Sequence, residues 1–467
     1  MIVLARPSFH NGEKMQRLLR ILLALFLLAP PALAADGPFL INGAIVTPGR
    51  VIQNGWITHQ GGKISANSET RPTAAGARTL VTRDIVFPGF IDLHNHPLYG
   101  VFPRWHPPKV YPNRYEWRAD AGYWQAIQTP EGKLVATRFC DMDAYVEMKA
   151  LMGGTTSLLG IYRPADTDAV PPCVAGLVRN LDWATGFHGD GVGHERAGNV
   201  LGVRPNDLKL SEETLAQIKR GPIDLIAVHL GEGQRNDPDS RAEFARLKDL
   251  KLLTPNTAII HGVALSEADF GEIKAAGASF IWSPRSNFEL YGETADIAAA
   301  ARQRVTMALA PDWSPTGSTN MLAEIVYAKG VIDRQFKGLV SPQQLFEMAT
   351  SIPARIARID DKAGSLKPGL AADLFLLRGD ASKPFDALVT ARPEDVTLTV
   401  IDGVPLFGTS DHMSALGVTA LETVNLCGQA RAINPHAIAD GFADITARLT
   451  GALRSENLTL AGLAECN

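Results

Sequence analysis

Two short apolar runs near the start of the chain, Phe39–Val46 and Gly55–Thr58, are separated by glycine and polar turn residues and read as strands. The same texture returns near the other end. Ala372–Leu377 and Val396–Ile401 are strand-like, the second closing on the turn pair Asp402-Gly403. Two β-rich pieces at opposite ends predict one small composite β domain, a β-sandwich built from residues 35–87 and 356–410. Between them the rhythm changes. Leu225–Val228, Ala258–Ile260, Phe280–Trp282 and Val305–Leu309 alternate with helix-like segments Arg241–Leu250, Glu267–Ala276 and Ala295–Gln303. Buried strands alternating with helices predict parallel strands joined by helical crossovers. Residues 88–355 are therefore expected to form an α/β unit, a (β/α)8 TIM barrel. Strands 1, 2, 5, 6, 7 and 8 are assigned. Strands 3 and 4 are expected within 173–205 without defined bounds, and 411–467 is set apart as a C-terminal extension.

The first residues follow another logic. Arg17 and Arg20 precede the apolar run Ile21–Ala29, followed by Pro30, Pro31 and Ala32-Leu33-Ala34. A basic segment, a short apolar core and an Ala-x-Ala site predict a secretory signal peptide over 1–34, cleaved after Ala34, with Met15 as the expected initiator. The run is well short of the roughly 20 apolar residues a membrane span needs. The mature protein is expected in the periplasm or secreted. Its four cysteines form no C-x-x-C pair. An oxidising compartment would suit Cys140–Cys173 and Cys427–Cys466 bridges; four unpaired thiols are the alternative.

Charge narrows the partners. The formal net charge of the chain is −4. Without residues 1–34 there remain 41 basic and 48 acidic residues, a charge of −7. That gives no basic footprint for nucleic acid and no pull toward an anionic membrane. A small-molecule substrate is expected, with homo-oligomerisation left open.

Candidate chemistry lies where apolar runs end. Phe87–Leu93 leads into His94-Asn95-His96, and alternation along a strand points the two imidazoles the same way. Leu225–Val228 ends in His229, Ala258–Ile260 in His261, and Val305–Ala310 leads to Asp312. In a barrel all of these fall at the C-terminal rim of the strands, where such folds build their sites. Imidazoles with a carboxylate suit one divalent ion, zinc first, with iron (Fe2+) or nickel as alternatives. His106, His188 and His194 end no such strand and are read as non-ligands.

With these motifs in order, the chain resembles the amidohydrolase superfamily, in the branch of cytosine deaminase, adenosyl-homocysteine deaminase and triazine hydrolases. Pro88–His96 begins the match, which continues through His229-Leu230-Gly231-Glu232, His261-Gly262, Ser283–Leu290, Asp312–Pro315 and Gly364–Leu374. The resemblance implies His94, His96, His229 and Asp312 as metal ligands. It implies Glu232 as general acid/base and His261 beside the reacting group. Relatives with two metals carry a bridging carboxylated lysine at the end of strand 4. Arg179–His194, taken as that region, holds no lysine, which implies one metal. One departure is Ala310-Pro311-Asp312, where related deaminases often have a Gly-rich turn.

The implied reaction is hydrolysis of a non-peptide carbon–nitrogen bond: deamination of a ring amine, or cleavage of a cyclic or linear amide. A halide or N-acyl amino acid leaving group on the same site is the alternative, and a catalytically inactive binding relative is a third reading. Asp312 is expected to take a proton, His261 to stabilise the developing oxyanion, and Glu232 to protonate the leaving nitrogen. Residues 99–124 are dense in aromatics interleaved with Arg104, Lys109, Arg114 and Arg118. Placed just after the strand 1 motif, they read either as a lid that stacks a planar group and pairs an anion, or as an ordinary packed loop. Arg104, Trp105, Asn287 and Trp313 are the candidate substrate contacts.

Overall fold

The structure is a computed structural model describing residues 37–160, 173, 177–181, 197–202, 225–435, 438 and 440–466. The expected signal segment 1–34, His188 and His194 lie outside the described residues. Four strands come first: β1 (Phe39–Thr47), β2 (Arg50–Gln60), β3 (Lys63–Ser68) and β4 (Arg78–Pro88). After Gly89 the chain enters eight short parallel strands. They are β5 (Phe90–Asp92), β6 (Thr155–Leu158), β7 (Arg179–Asn180), β8 (Ala197–Gly202), β9 (Leu225–Leu230), β10 (Thr257–His261), β11 (Ser279–Trp282) and β12 (Thr306–Leu309). β5-β6-β7 form one sheet and β8 to β12 another, each in sequence order. Asn95 and Asp312 form a parallel bridge, which brings the ends of β5 and β12 together. β9 and β10 are buried almost throughout, as expected of parallel strands covered on both faces.

The last strands, β13 (Leu374–Leu377), β14 (Val396–Ile401), β15 (Val404–Gly408), β16 (Glu422–Leu426) and β17 (Gln429–Ile433), return to the first four. Together they make one nine-stranded sheet in the order β16-β17-β15-β14-β13-β4-β1-β2-β3. Both chain ends therefore share a sheet, and the segment set apart as 411–467 continues it through β16 and β17. The sheet and the parallel strands meet at Gly89, whose N–H donates to Asp373 O at 3.0 Å. Phe375 packs between Phe87 and Phe90, with centroids 5.3 and 4.7 Å away. All three rings are fully buried, and each such burial contributes on the order of 1.5–3 kcal/mol. Arg179 on β7 pairs with Asp373 at 2.7 Å and Asp402 at 3.1 Å, a further tie between the two parts.

Strands 3 and 4 of the parallel set fall inside the expected window. β7 has two residues, and β8 reads Ala-Gly-Asn-Val-Leu-Gly, too short or too glycine-rich to stand out as periodic. The helices that serve the site are α1 (Arg114–Arg118), α2 (Thr129–Met152), α3 (Pro238–Asp249), α4 (Glu267–Ala275) and α5 (Pro284–Tyr291). Near the C-terminus α6 (Phe442–Ser455) buries Phe442, Ile445, Leu449 and Leu453 along one face. It packs on α2, where Arg448 grips Asp141 at 3.0 Å and Phe442 stacks on Tyr145. Cys140–Cys173 and Cys427–Cys466 are both disulfides. Among the described residues no helix is long and apolar enough to cross a membrane.

Candidate active site

Four donor atoms converge at the carboxyl ends of the parallel strands. His94 and His96 leave β5, His229 lies near the end of β9, and Asp312 follows β12. His229 Nε2 lies 3.2 Å from Nε2 of both His94 and His96. Asp312 Oδ1 lies 3.3 Å from His94 Nε2 and 3.7 Å from His96 Nε2. Ligands 2.0–2.1 Å from a tetrahedral ion stand roughly 3.3 Å apart, so this spacing fits one zinc-sized ion. His94, His96 and Asp312 meet the geometry of a metal group, as do His94, His229 and His261.

The surroundings hold these donors in place. His94 Nδ1 is 3.0 Å from Ser283 Oγ, which leaves its Nε2 for the cluster. Asp92, buried at the end of β5, accepts from His94 N at 3.1 Å and from Asn95 Nδ2 at 2.6 Å, clamping the His-Asn-His turn. His261 and Asp312 both adopt positive φ, 69° and 62°. Such backbone is costly for these residues and persists where the surrounding structure over-determines it. Gly262 follows at φ 53°, and a Cβ there would meet Phe280 Cε2 at 2.7 Å. Only glycine lets the chain turn off β10 so close to that ring.

Electrostatics agree with a cation. Burial, and then the Glu232 carboxylate, push the Asp312 carboxyl well above its usual range. A carboxylate in that position needs a compensating positive charge, which a divalent ion among these donors supplies. Burial holds His94 and His229 well below the ordinary imidazole range and brings His96 down to about 4, with neighbouring imidazoles adding to each shift. Neutral imidazoles are the form that binds metal. The same shifts predict how metal-free protein responds to acid. Below about pH 6.5 the unfolded chain protonates these imidazoles while the folded chain does not, so their contribution to stability falls as pH drops from about 6.5 toward 4, while the buried Asp312 carboxyl, raised in the fold, contributes in the opposite sense. NMR titration of the imidazoles in metal-free protein should show His94, His96 and His229 still neutral at about pH 5.5. Imidazoles that titrate near about pH 6.5 would show that burial does not hold them neutral.

Beside the donors, Glu232 is buried. Its Oε1 accepts from Tyr291 Oη at 2.7 Å, while Oε2 lies 3.5 Å from Arg114 Nη1 and 3.8 Å from His261 Nε2. Burial alone would raise the Glu232 carboxyl, but His261, Arg114, Tyr291 and Arg118 together hold it below its usual range. His261 Nδ1 is 2.9 Å from Asn287 Oδ1, and Asn287 Nδ2 donates to Thr294 Oγ1 at 3.1 Å. That chain fixes Nδ1 as the protonated nitrogen and turns Nε2 toward the cluster.

A cavity of about 310 Å³ opens over the donors. Its wall includes His96, His229, Glu232, His261 and Asp312, and on the other side Tyr99, Arg114, Trp117, Arg118, Tyr123, Gln128 and Trp313. Trp117 stacks on Trp313 at 5.4 Å and donates through Nε1 to Tyr291 Oη at 2.8 Å. The 99–124 segment is thus the roof of the site. It is bolted down where Asn113 bridges Gly233, with Asn113 Nδ2 donating to Asp237 Oδ1 at 2.9 Å. A Cβ on Gly233 would strike Ser240 Oγ at 2.2 Å and Pro112 O at 2.6 Å, so the approach requires glycine.

Of the four candidate substrate contacts, Trp313 lies on this wall and three do not. Arg104 turns away: it donates to Gly317 O at 2.7 Å and pairs with Glu289 at 3.2 Å and Glu465 at 3.3 Å. Trp105 is buried behind the wall against Tyr111, Trp117 and Tyr123. Asn287 acts on His261 instead of facing the cavity. Arg114, Trp117, Arg118 and Gln128 take the places expected of Arg104 and Trp105. The arginines and Trp117 stood in the singled-out aromatic stretch, but nothing in their order says which side chains turn inward. Ser283, Asp92 and Tyr291 carried no separate signal. His106 is exposed and away from the cluster.

Residues 225–406 match the amidohydrolase family model. The 5-methylthioadenosine/S-adenosylhomocysteine deaminase of Symbiobacterium thermophilum is 25% identical over 426 residues, covering 78% of this chain and 92% of that protein. The protein of the same name from Teredinibacter turnerae is 31% identical over 160 residues, 32% of this chain and 36% of that one. Against that relative the chain thus spans only about a third of its length. Among solved structures, a zinc-bound adenosine deaminase from Xanthomonas campestris superposes with TM-score 0.66 at 18% identity, covering 90% of this chain and 98% of that one. At that identity the likeness is one of fold. His229, Glu232, His261 and Asp312 lie inside the amidohydrolase match, whereas His94 and His96 precede it and join the cluster through the fold.

Proposed function

We propose that this protein is an amidohydrolase that uses a single divalent ion, zinc in the first instance, to hydrolyse a non-peptide carbon–nitrogen bond in a small, largely planar molecule. The observation that carries the reading is that His229 and Asp312 each lie within 3.2–3.7 Å of both His94 and His96, beside a buried carboxylate, Glu232. When bound, the ion supplies a Lewis acid and a water acidified toward a pKa of about 7. One ion is favoured because no lysine occurs in Arg179–His194, the region taken for the end of strand 4, nor in β8, which follows that region and is the fourth parallel strand. The eight parallel strands are taken to close into a barrel, with the Asn95–Asp312 bridge as one seam and the β7–β8 junction as the other.

The side chains divide the work. Glu232 Oε1 is occupied by the Tyr291 hydroxyl, so Oε2 is the oxygen that takes a proton and passes it to the leaving nitrogen. Its low resting pKa makes it a carboxylate first and an acid only after it has been loaded. His261 Nε2, aimed by Asn287, stands where it can stabilise oxygen charge developing at the attacked carbon. Trp117 and Trp313 offer a stacking platform, and the roof limits water entry. The relatives named for deamination of an adenine ring favour ring-amine removal. Opening of a cyclic or linear amide is the second reading, since the same proton path serves an amide nitrogen. Residues 1–34 are proposed as an export signal removed after Ala34, with the mature enzyme acting in the periplasm or outside the cell.

The test is metal analysis of the purified chain, then mass-spectrometric screening of aminoheterocycles, cyclic amides and N-acyl amino acids. Stoichiometric metal, with ammonia released from an aminoheterocycle, is the expected result. Turnover without ammonia selects the amide reading. Protein that holds no divalent ion and turns over none of the three classes would overturn the proposal.

A further inference from the structure

Two arginines of α1 face the cavity, and among the described residues only one of them is ion-paired. Arg114 is buried, with Nη1 3.5 Å from Glu232 Oε2, Nη2 3.4 Å from Glu243 Oε1, and Nη1 donating to His229 O at 3.4 Å. It belongs to the catalytic machinery. Arg118 is four residues on, hence on the same helix face about 5–6 Å further along. It also lines the cavity, yet it is exposed, and among the described residues no carboxylate lies within ion-pair distance of its guanidinium.

The wall beside Arg118 brings no anion. Tyr99 and Tyr123 both donate their hydroxyls to Gln128 Oε1, at 3.4 and 2.6 Å, and Gln128 Nε2 donates to Glu131 Oε2 at 3.2 Å. Glu131 therefore sits behind Gln128 and is not part of the cavity wall. Near the donor cluster the charges of a divalent ion, Asp312, Glu232, Arg114 and Glu243 cancel. Arg118 adds a positive charge with no ion-pair partner among the described residues at one end of an aromatic cavity of about 310 Å³, near enough to Glu232 to help hold that carboxyl low.

We propose that Arg118 is a specificity-determining residue that binds a carboxylate on the substrate. The reading rests on the hydrolytic function proposed above and narrows its substrate class to planar or aryl amines and amides that carry a carboxylate beyond the scissile bond. A guanidinium fork matches a carboxylate in two parallel hydrogen bonds. A single arginine, with no second unpaired cation on the wall, suits one negative charge better than a doubly charged phosphate. Trp117, stacked on Trp313 one residue before Arg118, offers the ring platform next to it.

The test is calorimetric binding to the zinc-loaded full chain of 4-phenylbutanoate and its neutral analogue 4-phenylbutan-1-ol, neither of which has a bond to hydrolyse. Wild-type protein is expected to prefer the carboxylate by about 10- to 100-fold, the range for a hydrogen bond to a charged group. Arg118→Gln should lose that preference while binding the alcohol as before, and Arg118→Lys should keep part of it. No preference in the wild type, or unchanged carboxylate affinity in Arg118→Gln (the carboxylate then resting on the metal), overturns the proposal. Because the preference is read without turnover, its presence in a protein that hydrolyses nothing would sink the catalytic reading alone. Turnover of neutral amides with no such preference would sink this one alone.

Discussion

Glu232→Gln is expected to lower kcat by about 10²- to 10⁴-fold, the usual contribution of a positioned proton carrier, while the metal content stays unchanged. Glutamine keeps the volume of the buried side chain, and its amide oxygen still accepts from Tyr291 at the position of Oε1. It cannot hold and release a proton at the position of Oε2, which faces Arg114 and His261. The donors nearest the ion are untouched, so metal analysis should match wild type, while loss of the buried pair with Arg114 should lower the thermal midpoint. An unimpaired rate in the metal-loaded variant would remove Glu232 from the reaction. A variant that loses its metal would instead make Glu232 part of the ion's support.

Asp312→Asn should cost both metal and turnover. Asparagine tolerates the positive φ of 62° at this position, so the backbone that feeds Trp313 into the cavity wall should survive. What is lost is the negative charge 3.3 Å from His94 Nε2 and 3.7 Å from His96 Nε2. Removing a partner that merely supports a ligand costs about 10- to 100-fold in metal affinity, and removing a ligand should exceed that. Stability of the metal-free protein should move the other way. Burial pushes the Asp312 carboxyl upward, so a neutral amide relieves a desolvation cost that only the ion offsets. Competition with a chelator, and urea unfolding of both metal-free proteins, would measure the two effects. Zinc affinity equal to wild type would exclude Asp312 as a ligand.

The strand ends were legible because each combined two local signals: an apolar run of strand length, and then a residue able to bind metal. His229 and His261 close runs of buried strand, and Asp312 comes three residues after β12. The helices expected at 241–250 and 267–276 stand within a few residues of those bounds, at Pro238–Asp249 and Glu267–Ala275. β7 and β8 were not legible. A two-residue strand has no period, and its identity comes from pairing with β6. β16 and β17 were missed for a related reason: β16 is mostly exposed or half-buried at the sheet edge, β17 is only five residues long, and both belong to the sheet because β17 pairs with β15.

The roof of the site shows the division most sharply. Composition alone marked 99–124 as rich in aromatics and arginines, and by itself could not say which of them face inward. Arg104 is drawn away by Glu465, 361 residues later in the chain and held near by the Cys427–Cys466 bridge. Arg114 is drawn inward by Glu232 and Glu243, and a pairing that needs the backbones at Asn113 and Gly233 in contact sets the helix between them. The sequence by itself determined the kinds of element, their order, and the residues placed at the ends of the strands. Those follow from periodicity and side-chain chemistry, which act over a few residues. The fold then settles what no local pattern shows: His229 and Asp312 each come within 3.2–3.7 Å of both His94 and His96, Asn287 serves His261, and Arg118 reaches the cavity without an ion-pair partner among the described residues. Side-chain direction in loops and short helices is set by partners far along the chain, and no local pattern encodes them.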